Sequence, residues 1–262
     1  MSQILIEVDG PVGIITLNNP DKHNAFDDTL IADLTAAFRS LDGNPSVRVV
    51  VLSAVGKSFS AGADLNWMKR MAGYTEAENL RDAFGLTTLM RTLHGMTKPT
   101  IARVQGAAYG GGVGLVACCD IAVGTQSAMF SLSEAKLGLI PAVISPYVIA
   151  AIGERAAHRY FLSAERFDAA EAFRLGLLHE LAFDNETMDD KINDITTALM
   201  NCGPRAISEA KQLIAAVAGQ PIDDALVNDT AARIARVRAS AEGREGVTAF
   251  LEKREARWNI DD

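Results

Sequence analysis

Two short segments near the start of the chain, Ile4 to Val8 and Gly13 to Leu17, alternate or run β-branched and flank Asp9-Gly10-Pro11, which predicts a β-hairpin. The turn-rich LNNPDKHNAF follows at 17–26, with Asn24 placed as a helix cap. Leu30, Leu34, Ala37, Phe38 and Leu41 then recur at helical spacing and predict a helix over 25–41. VRVVVL at 47–52 reads as a buried strand running into GKSFSAGADL, and 76–94 reads as a helix. Lys98-Pro99 introduces a β-branched strand at 100–105, ahead of the glycine triplet Gly110-Gly111-Gly112. Val113 to Cys118 is apolar and lacks proline, so a buried helix is expected there. Short strands are expected at 120–124 and 129–131. Beyond Gly153 the pattern is helical over 154–162, 168–175, 187–200, 204–217, 222–241 and 243–258, with one strand at 179–183.

Strand, glycine-bearing loop and helix thus recur from residue 47 to about 124. That alternation predicts an α/β fold with mostly parallel strands and with loops gathered at their carboxyl ends, where ligands bind. The expected division is a core over 1–200 and a helical region over 201–262. Helices without a sheet partner must bury their apolar faces on the core or on another subunit, so an oligomer is expected.

Composition narrows the function. A net charge of −8 argues against a nucleic-acid surface or an anionic membrane as partner. With 48% hydrophobic and 22% charged residues, the chain has the profile of an ordinary globular protein. The N-terminus lacks the pattern of a signal peptide and no stretch is long enough to span a membrane, so a cytoplasmic protein is expected. Cys118, Cys119 and Cys202 are too few and wrongly spaced for a disulfide framework or a zinc site, and buried thiols are expected. His23, His94, His158 and His179 are scattered, without metal-ligand spacing.

The chemistry is expected at two glycine-bearing loops. A strand, a glycine triplet and a helix start bring bare backbone N–H groups close to a ligand, and the helix dipole favours negative charge there. Lys57-Ser58-Phe59-Ser60-Ala61-Gly62-Ala63-Asp64-Leu65 repeats the arrangement after another strand. Two such loops on neighbouring parallel strands aim two N–H groups at one point and make an oxyanion hole, in which losing one donor costs ~3 kcal/mol of barrier height. Asp64 also suits a helix cap, and Ser131-x-x-Glu134 also suits a capping box.

LNNPDKHNAF (17–26), KSFSAGADL (57–65), KPTIARVQGAAYGGGVGLVACCDIAV (98–123), FSLSEAKLGLIP (130–141), RFDAAEAFRLGLLHEL (166–181) and GVTAFLEKREARW (246–258) occur in that order. Together they resemble the crotonase (enoyl-CoA hydratase/isomerase) superfamily over nearly the whole chain. The resemblance implies a spiral of ββα turns with a C-terminal helical region that builds a trimer, usually paired into a hexamer. It implies an acyl-CoA thioester whose carbonyl oxygen sits between the amides of Ala63 and Gly111, with Gly110 alongside. No metal or redox cofactor is implied, coenzyme A being part of the substrate. Glu134 matches a family acid/base. Lys22, Lys57 and, from a neighbouring subunit, Lys253 or Arg254 match cations that meet the coenzyme phosphates, and the backbone around Ala61 and Leu65 matches the adenine site.

Two departures stand out. Hydratases of the family generally carry a first glutamate where this chain has Gly114. A helical glycine costs roughly 1 kcal/mol against alanine, so Gly114 reads either as close packing or as room beside the acyl group. In IPAVISPY (140–147), Pro141, Val143 and Tyr147 reshape the acyl pocket, and Ser145 and Tyr147 offer hydroxyls for a water. This combination resembles the bacterial hydratases for methylglutaconyl-CoA and isohexenylglutaconyl-CoA, which serve leucine and acyclic terpene catabolism. The expected reaction is hydration of a β-branched enoyl-CoA, with delta-3 to delta-2 enoyl-CoA isomerisation as the alternative.

Overall fold

The computed structural model describes residues 2–259. Its strands are β1 (Ile4–Asp9), β2 (Val12–Leu17), β3 (Val49–Ala54), β4 (Ser58–Ser60), β5 (Thr100–Val104), β6 (Ala107–Tyr109), β7 (Ile121–Thr125), β8 (Met129–Ser131), β9 (Arg166–Asp168) and β10 (Glu180–Ala182). Its helices are α1 (Asp28–Gly43), α2 (Leu65–Met71), α3 (Glu76–His94), α4 (Gly111–Cys118), α5 (Ser145–Ser163), α6 (Ala169–Leu175), α7 (Asn185–Met200), α8 (Pro204–Val217), α9 (Asp224–Ala239) and α10 (Ala241–Glu252).

The predicted hairpin forms, β1 pairing antiparallel with β2. From β2 onward the larger sheet, ordered β1-β2-β3-β5-β7-β10, is parallel. Every residue of β3 is buried, as a continuous apolar strand requires when both faces of the sheet are covered. Leu30, Leu34 and Phe38 of α1 share one core with Leu89, Met90 and Leu93 of α3 and with Leu17, Val50 and Leu52 of the sheet.

A second sheet, β4-β6-β8-β9, is built of three-residue strands, the first three parallel and β9 antiparallel to β8. The sequence pattern predicts neither β4, β6 nor β9, and the strand that feeds the glycine triplet is β6 rather than β5. Asn24 does not cap α1; Asp27 does, its carboxylate accepting the Leu30 N–H at 2.8 Å. α5 starts before Gly153, whose φ of +77° interrupts it. Cys118 and Cys119 are buried but Cys202 is exposed, against expectation.

The chain divides into two compact units, 1–193 and 194–262. Within the second, Asp223 and Ser240 cap α9 and α10, and the Glu242 carboxylate accepts the N–H groups of Arg205 and Ala206 at the start of α8. Ile214, Ile222, Phe250 and Leu251 of this unit are exposed. Among the described residues no helix is long and apolar enough to cross a membrane.

α4 is apolar almost all round, and most of its side chains are buried, as befits a helix inside the core. A side chain at Gly114 would put its Cβ 2.3 Å from Ile144 Cγ2 and 3.2 Å from Met90 Cε. Ile144 and Met90 are themselves buried. The room expected beside Gly114 is therefore already filled, and the missing side chain admits Ile144 against the helix. Gly114→Ala is accordingly expected to destabilise the protein by about 1–3 kcal/mol through overpacking. Denaturant unfolding of Gly114→Ala, Ile144→Ala and the double variant will show the double costing at least about 1 kcal/mol less than the sum, as contacting residues do.

Candidate active site

β4, β6 and β8 are parallel neighbours, so their carboxyl ends release three loops side by side: 61–64, 110–111 and 132–134. The Gly110 N–H donates to the Ser131 carbonyl at 2.9 Å and ties the second loop to the third. Glycines let the first two touch backbone to backbone. Gly62 has φ +87°, and a Cβ there would lie 3.1 Å from the Tyr109 carbonyl oxygen; one on Gly112 would lie 2.7 Å from that of Ser60.

The loop 61–64 hangs on the segment 23–26. The Ala61 N–H donates to the His23 carbonyl at 2.9 Å, Phe26 N–H to that of Gly62 at 2.6 Å, and Asp64 N–H to that of Phe26 at 2.7 Å. The Gly62 carbonyl and the Ala63 N–H belong to one trans peptide unit and point in opposite directions. With that carbonyl turned toward Phe26, the N–H of exposed Ala63 is turned away from it, and it has no acceptor among the described residues. Gly111 is the first residue of α4, where helical N–H groups lack an intrahelical partner. The Val113 and Gly114 amides use the Gly110 carbonyl, and the Gly111 N–H has no acceptor among the described residues. Gly110 turns the chain into the helix at φ +50°, ψ −118°, a conformation reserved for glycine.

Glu134 lies in the 3₁₀ turn Ser133–Leu137 that follows β8. Its Oε1 is 2.9 Å from where a Cβ on Gly110 would be, so that glycine also makes room for the carboxyl. Its Oε2 is buried and unpartnered. Burial pushes the carboxyl above its usual range, and a hydrogen bond from its own amide offsets part of the shift. The capping box does not form, because the Ser131 hydroxyl donates to the Ala164 carbonyl at 3.4 Å instead. Glu134 is thus uncommitted structurally at Oε2, and its carboxyl lies against Gly110, the residue before the unclaimed Gly111 amide.

The remaining predicted residues divide. Half-buried Ala61 and exposed Leu65 flank the Ala63 amide. Lys22 is engaged, its Nζ 3.0 Å from Asp64 Oδ2. Lys57 is exposed and makes no ion pair among the described residues. Pro141 is buried and Val143 half-buried, both in the loop that brings Ile144 against Gly114. Tyr147 packs on His94, ring centroids 5.0 Å apart, and the Ser145 hydroxyl donates to the Ala142 carbonyl. Lys253 is exposed at the left-handed end of α10 in the second unit, whereas Arg254 is bound to Glu245 and Glu252.

Asn24, which braces the site, is the residue whose role the sequence pattern misassigns. Buried at φ +53°, its side-chain amide donates to the Val55 and Ser58 carbonyls and its carbonyl oxygen accepts the Asn19 N–H. Its own backbone carbonyl accepts the Ser60 hydroxyl at 2.9 Å. The signal was LNNPDKHNAF, whose turn residues brace the loop rather than start the helix.

The sequence matches the enoyl-CoA hydratase/isomerase family over residues 7–261. The crystal structure of an enoyl-CoA hydratase from Shewanella pealeana superposes with a TM-score of 0.95 at 44% identity, covering 98% of this chain and 96% of that one. Pseudomonas aeruginosa AtuE gives 0.94 at 32% identity over 99% and 100% of the two chains. A crotonyl-CoA hydratase of Syntrophomonas wolfei is 29% identical over 260 residues, 97% of each chain. The α/β architecture is shared with these structures over 98% and 99% of this chain, and the chain belongs to the enoyl-CoA hydratase/isomerase family.

Proposed function

We propose that this protein adds water across the conjugated double bond of a 2-enoyl-CoA thioester. The observation that carries the reading is the buried Glu134 carboxyl, unpartnered at Oε2, lying against Gly110 next to the unclaimed amide of Gly111. The thioester oxygen is held by the Ala63 and Gly111 N–H groups. The Glu134 carboxylate takes a proton from water while the water oxygen bonds to C3 and the displaced electron pair moves onto the thioester oxygen. The enolate then takes that proton from the Glu134 carboxyl at C2, which restores the carboxylate. One carboxyl serving both steps delivers oxygen and proton to the same face, a syn addition. No metal or redox cofactor enters this sequence.

A methylglutaconyl-type acyl group, branched at C3 and bearing a second carboxylate, is the finer substrate proposal. Its support is the resemblance carried by Gly114 and the 140–147 loop; the argument from open space at Gly114 falls, since Ile144 fills it. Exposed Lys57, and Lys253 of a neighbouring subunit, are proposed to meet the coenzyme phosphates, and the backbone near Ala61 and Leu65 the adenine. The exposed Ile214, Phe250 and Leu251 support self-association as a trimer or a pair of trimers. Because one carboxyl is uncommitted, a second reaction shares the site. The same base and amides can carry a proton between C2 and C4 of a 3-enoyl thioester.

A spectrophotometric assay of 3-methylglutaconyl-CoA, crotonyl-CoA and a 3-enoyl-CoA separates these readings. Loss of conjugation in either 2-enoyl substrate, reduced roughly 10²–10⁴-fold in Glu134→Gln, is the expected result. Gain of conjugation from the 3-enoyl substrate alone would make the enzyme an isomerase.

The raised Glu134 pKa adds a pH signature. As a base it acts ionised, so the rate should rise with pH through a value above the ordinary carboxylate range. The native state also holds this proton more tightly than the unfolded chain does. That contribution is complete below the unfolded pKa and is lost as pH rises through the folded one. Glu134→Gln, neutral throughout, should therefore have a higher Tm than wild type at neutral pH, and the difference should vanish in acid.

A further inference from the structure

The residues that fix the Ala63 amide extend one shell beyond its backbone partners. Asp64 follows Ala63 directly and is 7% exposed. One carboxylate oxygen caps α2, accepting the Asn66 and Trp67 N–H groups at 2.8 and 3.1 Å, while the other faces Lys22 Nζ at 3.0 Å. Lys22 ends the 3₁₀ turn Pro20–Lys22, and His23, next in the chain, supplies the carbonyl that holds Ala61. The turn therefore grips the loop at Ala61 through backbone and at Asp64 through charge, on either side of Ala63. The pair also has an electrostatic role, because a carboxylate one residue from an amide that receives negative charge opposes that charge unless a cation answers it.

We propose that Lys22 is a positioning residue for the carbonyl-binding amide, acting through Asp64. This rests on the reading of Ala63 as an oxyanion donor. Lys22 keeps the loop in register and cancels the Asp64 charge where the enolate forms. Its effect belongs to the reacting carbonyl, and a thioester without coenzyme phosphates should feel it too.

The test compares wild type, Lys22→Met and Lys22→Arg with crotonyl-CoA and with the crotonyl thioester of N-acetylcysteamine, which has no phosphate. Lys22→Met is expected to lower kcat roughly fivefold on both, the scale of a half-exposed ion pair, with KM for the small thioester unchanged and Lys22→Arg restoring most of the rate. A raised KM for crotonyl-CoA alone, with kcat intact on both, would overturn the proposal and make Lys22 a phosphate contact. The absorbance of a bound dimethylaminocinnamoyl thioester, which moves to the red as its carbonyl is polarised, gives a readout independent of turnover. A smaller red shift in Lys22→Met than in wild type supports the proposal, and an equal shift refutes it while leaving the oxyanion site standing. No red shift in wild type would refute the oxyanion reading itself, and this inference with it.

Discussion

Parallel pairing among β4, β6 and β8 sets where three loops end, and it does so to within a hydrogen bond. Strands about 4.8 Å apart bring the loops that leave them within reach of a single small group, provided no side chain stands between. Gly62 and Gly112 meet that condition between the first two loops, and Gly110 meets it between the second loop and the Glu134 carboxyl. The larger sheet packs with α1 and α3 in the core, yet the candidate site belongs to the smaller sheet. A shift in register at β6 would move the Gly111 amide, the Gly110 turn and the Ser131 contact together.

The two amides are made available in different ways. Gly111 is unclaimed because any helix start leaves N–H groups over. Ala63 is unclaimed because a neighbouring segment takes the opposite side of its peptide unit, Phe26 donating to the Gly62 carbonyl. The second device needs a scaffold, and 19–26 supplies it with two successive left-handed residues, His23 and Asn24. Asparagine tolerates that conformation better than most residues, and the buried Asn24 amide is fully occupied with loop carbonyls. The bracing is local and polar, while the apolar core beneath supplies most of the stability.

Long periodic elements were legible in the sequence: α3 and α8 fall where the apolar spacing predicts, and β8 matches its expected limits. β4, β6 and β9 of the smaller sheet were not, because each is three residues long and set by pairing with distant strands. Glu134 and the two loops stood out through an ordered set of motifs, and the fold brings Gly110, Gly111 and Glu134 together. The meaning of Gly114 was not legible. A helical glycine signals close approach or open space equally well, and the choice was made by Ile144, thirty residues on, which no local pattern connects to it. Lys22 shows the same limit, since nothing in its turn marks the distant Asp64 as its partner.

Filling the Gly114 side with Ile144 has a chemical consequence. At Gly114 the helix meets a buried isoleucine and a buried methionine, neither of which accepts or donates a proton. Glu134 is left without a like-charged neighbour at that position, so desolvation is the main influence raising its pKa. A lone carboxyl with a raised pKa is both a stronger base when ionised and a readily formed acid once it has taken a proton, which is what carrying one proton from water to carbon requires.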